Sequence, residues 1–419
     1  MRCCSVIGNI YLDKPITIVG AGISGLLLGF FLKKNSISFR ILEQKDRAGG
    51  LIHTYTTAYG IIETAANGFL MNEAIQEIIN TCNANEVLLP PSNHRKRYIV
   101  KNGKINKALF TIPTICKAIW NLNFSKTIPS ETVSDFIRNH IKSQNIHNTI
   151  EAAISGIYAA PLDKLSLELI APQLLADQLK GKNKLNEIIT LYKTLPRGGT
   201  RVLKGGMQSF INLLTDYLHN EIEYKVDLSQ ASTNVIYTVP SYRLPQLIPD
   251  DGIHRICATI HYQAIYSITF FCPLQQHLHI PKGFGCLIPR AEGYYSLGIL
   301  FNHNIFPANY NDGIASYTCI INADENTHFK NMSDIEIENI IISDMQRIGL
   351  PMPTIIGSRV TRWDQGIPLY NTHLAQALHD FRSYLANKNI AIFGNYTGSL
   401  SIRRLATNAK IFTENLLYQ

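Results

Sequence analysis

Gly20-Ala21-Gly22-Ile23-Ser24-Gly25 has the residue types and spacing to hold a pyrophosphate. The first glycine permits a tight strand-to-helix turn. The second lets the backbone approach phosphate oxygens, and the third lets helix and strand pack closely. A helix that starts there offers free N–H groups and a partial positive charge to an anion. Glu43 stands 18 residues after Gly25, with Gln44 beside it. A carboxylate at that place can accept both hydroxyls of a ribose. The glycine spacing alone also fits a plain packing turn, but that simpler reading leaves Glu43 unexplained.

Arg47-Ala48-Gly49-Gly50 follows a few residues later. An arginine and a paired glycine past the acidic residue are typical of chains that bind FAD, and NAD-binding folds usually lack them. The cofactor read from these residues is FAD. The second wall of a flavin site is expected from the far end of the chain. Gly394-Asn395-Tyr396-Thr397-Gly398-Ser399-Leu400-Ser401 stands there, with a strand pattern before it and a helix pattern after it. N–H groups at that helix start can face the flavin's pyrimidine carbonyl and stabilise charge as the ring is reduced. The candidate contacts are Gly394, Ser399, Leu400 and Ser401, and a simple strand-to-helix turn is the alternative.

These residues need elements to position them. Ile16-Thr17-Ile18-Val19 reads as a buried parallel strand, Gly25 to about Asn35 as a helix, and Phe39-Arg40-Ile41-Leu42 as a second strand ending at Glu43. Residues 51–105 mix short strands with a helix near 73–83. From about 106 to 195 the pattern is helical, with Ser130 as an N-cap and Val133, Phe136, Ile137 and Ile141 on one face. Arg197 to Met207 is a second glycine-rich stretch, followed by a helix over 208–219. Val235 to Thr238 is a core strand. Residues 254–322 alternate like antiparallel strands, namely Ile256 to Phe271, Gly285 to Pro289, Tyr294 to Phe301 and Ser316 to Ile321. Ile390 to Phe393 is a strand and 402–417 a helix.

The expected fold class is α/β. A Rossmann-type FAD-binding domain is interleaved with an α+β substrate domain that has a helical part and an antiparallel sheet. Residues 14–95, 196–253 and 351–419 are assigned to the FAD-binding domain. Residues 96–195 are assigned to a helical part facing substrate or membrane, and 254–350 to the substrate sheet.

A chain of 419 residues is too long for one compact core. Its 46% hydrophobic and 17% charged residues are globular proportions, without a disordered tail. The formal net charge is +8. The basic runs, 94–97 and 180–184, are short and not interleaved with aromatics, which argues against a nucleic-acid partner. The eight cysteines show no metal-ligand spacing and read as reduced thiols of a cytoplasmic protein. The apolar run Ile16 to Leu32 holds four glycines and a serine, which fits the turn better than a membrane span. Residues 106–125 carry an apolar face with Trp120 and Lys117 at its edges, which suits a membrane interface and a buried helix equally.

The chain resembles the oxygen-dependent, FAD-containing protoporphyrinogen/coproporphyrinogen oxidases within the flavin amine oxidase superfamily. The wider likeness rests on Gly20–Gly25, Glu43, Arg47-x-Gly49-Gly50, Gly205-Gly206-Met207 and the 394–401 turn. The narrower likeness rests on Glu63-Thr64-Ala65-Ala66-Asn67-Gly68-Phe69, Arg97-Tyr98-Ile99-Val100, Ser155-Gly156-Ile157-Tyr158-Ala159 with Leu165-Ser166, and Arg362-Trp363 with Ile367-Pro368. It runs in collinear order over about 14–415.

The resemblance implies hydride removal from a porphyrinogen, with dioxygen as acceptor, in haem synthesis. It implies that Arg97 pairs with a propionate of the substrate, a carboxylate that suits a guanidinium fork. It places Ala65, Ala66, Asn67, Gly68 and Trp363 against the flavin and Val226 against the adenine. It leaves room for a peripheral contact with the inner face of the cell membrane and for a homodimer. The chain departs from the family at Ala65-Ala66, in a short 226–235 connection, and at Arg403-Arg404 after the last turn. No acid–base pair or metal site announces itself, which suits a mechanism carried by the cofactor. Two other readings stay open: a different flavin oxidase acting on an amine or polyene, and a degenerate FAD-binding protein.

Overall fold

The computed structural model describes residues 7–12, 14–90, 96–107, 131–140, 144–175, 199–230, 234–277, 281–350 and 354–417. The expected N-cap Ser130, Ile141 of the apolar face beyond it, nearly all of the 106–125 patch, and the 180–184 run lie outside them.

A six-stranded sheet carries the glycine turn. Its order is Ile7–Gly8, Ile390–Ile392, Val235–Tyr237, Ile16–Val19, Phe39–Glu43, Ile222–Tyr224. All neighbours are parallel except the short edge strand Ile7–Gly8. Ile16–Val19 is buried along its whole length, as a β-branched central strand covered on both faces should be. Helix Ile23–Lys34 is buried from Ser24 to Leu32, so the apolar run 16–32 is spent inside the protein. The helix packs on helices Met207–Tyr217 and Ile402–Leu416. Gly29 allows its approach to the sheet, because a Cβ there would lie 2.8 Å from Ile41 Cδ1.

A seven-stranded sheet lies beside this. Its order is Gly357–Pro368, Tyr262–Pro273, Ile314–Asn322, Ser296–Phe301, Gly285–Leu287, Arg97–Lys101, Lys104–Lys107. Every neighbouring pair is antiparallel except Gly285–Leu287 with Arg97–Lys101, which is parallel. The two sheets draw strands alternately from along the chain, so the α/β class with an interleaved α+β part is what the structure shows. One strand expectation needs correction. Residues 251–258 form a helix, capped by Asp250 accepting from the Ile253 N–H at 3.0 Å, and the strand begins only at Tyr262. The Asp250 cap outweighed the apolar alternation from Ile256 onward.

Helix Gln144–Tyr158 is clamped to this sheet. Ser155 donates to the Ala160 carbonyl at 3.0 Å, and Gln263 donates to the Tyr158 carbonyl at 2.9 Å. The Ala159 carbonyl accepts from Asn322 at 2.7 Å and from Arg290 at 3.4 Å. A Cβ on Gly156 would sit 3.0 Å from Leu287 Cδ2. The Ser155-Gly156-Ile157-Tyr158-Ala159 segment is therefore the docking end of a helix.

Asn234 ties residues 11–14 to the central sheet. It is buried, holds φ +54°, donates to the Tyr11 and Lys14 carbonyls at 2.8 and 2.9 Å, and accepts from the Tyr11 N–H at 3.0 Å. Asn234→Ala strands those groups and keeps an unfavourable backbone angle. It is expected to cost about 2–3 kcal/mol, read as a lower urea midpoint with an unchanged slope. A midpoint equal to wild type contradicts this account.

Candidate functional site

The glycine turn is a crossing of backbone on backbone. Gly20 holds φ +106° and donates its N–H to the Leu42 carbonyl at 2.8 Å. A Cβ on Gly25 would lie 2.0 Å from the Gly20 oxygen and 2.8 Å from Thr238 Oγ1. The Thr238 hydroxyl itself sits 3.0 and 2.8 Å from the Val19 and Gly20 carbonyls. Gly22 is different. The nearest heavy atom to a Cβ there is Gly50 Cα, at 4.0 Å, so the space beside it is open. Helix Ile23–Lys34 has Gly22 as its N-cap, no side-chain cap and no acidic residue in its first turn. That leaves N–H groups and helix dipole directed at the open space, a fit to an incoming phosphate. Ala21 and Ser24 are buried against the turn and Ile23 is half-buried.

Glu43 ends the neighbouring strand. One carboxylate oxygen accepts from the Ala21 N–H at 2.8 Å and the other from the Lys45 N–H at 2.9 Å. A carboxylate has about four acceptor sites, so capacity for ribose hydroxyls remains. Val226 donates its N–H to the Glu43 carbonyl at 3.1 Å, which sets Val226 beside the same strand end. Gln44 is exposed and accepts from Arg243 at 3.1 Å.

Arg47 serves its own loop. Its guanidinium donates to the carbonyls of Gly50, Ala48 and Ile52 at 3.1, 3.3 and 3.4 Å. Gly49 N–H donates to the Ala21 carbonyl at 2.8 Å, which stitches the loop to the glycine turn. Gly49 and Gly50 both lie at positive φ, +105° and +62°.

Glu63 is a buried node between chain segments distant in sequence. It accepts from the Met207 N–H and the Thr54 hydroxyl, both at 2.8 Å. Helix Met207–Tyr217 begins at Gly206, which has no side chain to cap it, so a remote carboxylate does so. A Cβ on Gly206 would lie 2.4 Å from Glu63 Oε1, which explains why glycine precedes Met207. Burial raises the Glu63 carboxyl to about 7 against these two hydrogen bonds. A sequence signal existed in the bare Gly205-Gly206-Met207 helix start, but nothing local named its partner.

The segment after Glu63 is held from both sides. The Thr64 hydroxyl bonds the Leu51 carbonyl at 2.7 Å, and Trp363 Nε1 donates to the Thr64 carbonyl at 2.6 Å. Ala65 is exposed; Ala66, Asn67 and Gly68 are half-buried. Gly68 admits the close passage of Arg201, whose carbonyl would be 2.6 Å from a Cβ. In the C-terminal turn, Ser401 caps helix Ile402–Leu416 by accepting from the Arg404 N–H, and Gly398 holds φ +95°. Gly394 and Ser399 are buried, Leu400 half-buried, and Ser399 accepts from Asn408. Asn72 donates to the Arg403 carbonyl at 3.1 Å and to Thr407 at 2.7 Å, which brings this helix start next to the 64–72 segment. The structure thus draws together the glycine turn with Glu43, Arg47–Gly50 and Val226, and Trp363 with Thr64. Arg97 stands on the other sheet, exposed, with its guanidinium 5.3 Å from the Phe284 ring centre.

Glu63 has a pH signature. Its folded value, about 7, exceeds the ordinary 4.5, so between them the folded chain keeps a proton that the unfolded chain has released. The resulting stability is full below pH 4.5 and is lost as pH rises through about 7. Glu63→Gln keeps an acceptor for Met207 and removes the titration. Its denaturation midpoint is expected to fall less steeply over that window than wild type. Equal slopes contradict this assignment.

Residues 23–400 match the family described as Flavin containing amine oxidoreductase. Among curated relatives, the chain is 23% identical to protoporphyrinogen oxidase 1 of spinach chloroplasts, over 94% of this chain and 82% of that one. It is 23% identical to coproporphyrinogen III oxidase of Bacillus subtilis (strain 168), over 89% and 91%. Among solved structures, a candidate protoporphyrinogen oxidase from Exiguobacterium sp. 255-15 superposes with a TM-score of 0.77 at 19% identity, covering 98% of this chain and 100% of the other. The open space at Gly22, the uncapped helix start and the acid at the strand end are what a dinucleotide requires, and the match spans nearly the whole chain. The chain belongs to the flavin-containing amine oxidoreductase family and is an FAD-dependent oxidoreductase.

Proposed function

We propose that this oxidoreductase dehydrogenates a porphyrinogen, protoporphyrinogen or coproporphyrinogen, with dioxygen as the final acceptor. The observation that carries the reading is the likeness, over most of the chain, to relatives named for those two activities. Bound FAD supplies the hydride acceptor. Its pyrophosphate lies in the open space at Gly22 against the first turn of helix Ile23–Lys34, with Glu43 on the ribose. Ala21, Ser24 and Gly25 form the back of that cradle. Arg47 keeps Gly49 and Gly50 at the positive φ the passing chain needs. Val226, beside Glu43, faces the adenine. Residues 65–68, held through Thr64 by Trp363, and the turn from Gly394 to Ser401 take the flavin, with the helix start at Ser401 toward its pyrimidine side.

Arg97 binds the substrate. Its guanidinium lies 5.3 Å from the Phe284 ring centre and has no carboxylate partner among the described residues, which leaves its donors for a propionate. Among the described residues no helix is long and apolar enough to cross a membrane.

Purified protein mixed with each porphyrinogen in air is expected to raise porphyrin fluorescence above the spontaneous rate and to consume oxygen. Arg97→Gln is expected to raise KM about tenfold, the worth of one charge-assisted contact, with a smaller change in kcat. Porphyrin formation no faster than in buffer overturns the proposal. An amine panel that consumes oxygen when porphyrinogens do not points to the amine-oxidase reading instead.

A further inference from the structure

Helix Gln144–Tyr158 ends between two parts of the molecule. Gly156 packs on Leu287, whose strand is paired with the strand that carries Arg97. Two residues on, the Tyr158 ring centre lies 5.1 Å from that of Tyr370. Tyr370 is buried and donates its hydroxyl to the Asn395 carbonyl, in the turn proposed to take the flavin. Its own carbonyl accepts from the Ser166 N–H at 2.8 Å, which fixes it from the helical side as well. Tyr158 is thus one aromatic ring away from that turn.

The Tyr158 side chain is half-buried, and its hydroxyl makes no hydrogen bond to any described residue. Burial pushes its ionisation up, and the positive charge of Arg404 opposes that shift, so the guanidinium lies close by. The same charge acts on Tyr370. Arg404 is exposed, and its guanidinium has neither a hydrogen bond nor a carboxylate partner among the described residues. Arg403 beside it is equally unpaired, and burial, then the Arg404 charge, lower its guanidinium from the ordinary value. Helix Ile402–Leu416 gains no stability from these two residues, because cations in a first turn oppose the helix dipole. Positive charge that the fold neither needs nor neutralises, beside an unspent phenol donor, suits an anion.

We propose that Arg404 and the Tyr158 hydroxyl bind a carboxylate of the substrate, a second propionate apart from the one assigned to Arg97. This rests on the porphyrinogen reading. The guanidinium offers a planar pair of donors to a carboxylate, and the phenol adds one more. Tyr370 is a positioning residue here: pinned to Asn395 and stacked on Tyr158, it sets the phenol relative to the flavin turn. One anchored propionate leaves the macrocycle free to rotate in its plane. Two anchors fix that rotation and so select which carbon of the ring faces the flavin.

The test is fluorescence titration of the purified, FAD-loaded protein with coproporphyrin and with its methyl ester, the same ring without the negative charges. Coproporphyrin is expected to bind about tenfold more weakly to Arg404→Gln, and severalfold more weakly to Tyr158→Phe. Arg404→Lys is expected to recover part of the loss, and the ester to bind wild type and variants alike. In turnover, Arg404→Gln is expected to raise KM for the porphyrinogen that wild type oxidises, with a smaller change in kcat. Unchanged coproporphyrin affinity and unchanged KM in Arg404→Gln overturn the proposal, and so does a loss that the ester shares. A loss of FAD content in Arg404→Gln without a loss of coproporphyrin affinity assigns the charge to the cofactor and overturns it too. A wild-type protein that neither binds coproporphyrin nor oxidises either porphyrinogen defeats the porphyrinogen reading itself, and this assignment with it.

Discussion

The structure depends on one close approach, where helix Ile23–Lys34 leaves strand Ile16–Val19. The carbonyl of Gly20 occupies the place a side chain on residue 25 would take, 2.0 Å from the position of a Cβ. No rotamer change relieves a clash with a backbone oxygen, so residue 25 must be glycine for this geometry. The approach sets the depth of the helix in the protein. That depth puts the helix start level with the strand ends, where Glu43, Gly49 and Val226 also arrive. Hydrogen bonds from Ala21 to Glu43, from Gly49 to Ala21 and from Val226 to Glu43 then lock the three chain segments to one another. An anion site at Gly22 is the by-product of this packing, an uncapped helix end facing open space.

A second constraint works on the other side of the site. Glu63 is buried at the end of its strand and caps a helix 144 residues away in sequence. Thr54, Thr64 and Trp363 continue the network and hold the segment that follows Glu63. The chain accepts a costly buried carboxyl there because it satisfies a helix start that glycine cannot cap. Both constraints trade side-chain freedom for backbone position, and they share a principle: glycine lets two chain segments touch, and a neighbouring polar group then fixes the contact.

What was legible in the sequence follows from distance along the chain. The glycine turn, Glu43 and Arg47-Ala48-Gly49-Gly50 lie within about thirty residues, so spacing alone relates them. The strands Ile16–Val19 and Phe39–Glu43 were legible because β-branched runs bounded by turn residues admit few other states. The Glu63–Met207 and Trp363–Thr64 bonds join residues 144 and 299 positions apart, and no local pattern announces such partners. Strand Ile7–Gly8 has only two residues and exists because an edge was free to receive it. The end of the helix over 251–258 falls within the expected strand, because apolar residues alternate from Ile256 onward. The Asp250 cap was the better signal.

Gly22 separates the two jobs of the turn. Unlike Gly25, it has room for a side chain within the protein, at an ordinary φ of −68°. A side chain there fills only the space assigned to the pyrophosphate. The most direct measurement is therefore the FAD content and affinity of Gly22→Val beside wild type, with thermal melting as the control for folding. The expected result is a wild-type protein carrying one FAD and a variant that melts like the cofactor-free protein and binds FAD at least a hundredfold more weakly. A folded Gly22→Val that binds FAD as wild type does would contradict it.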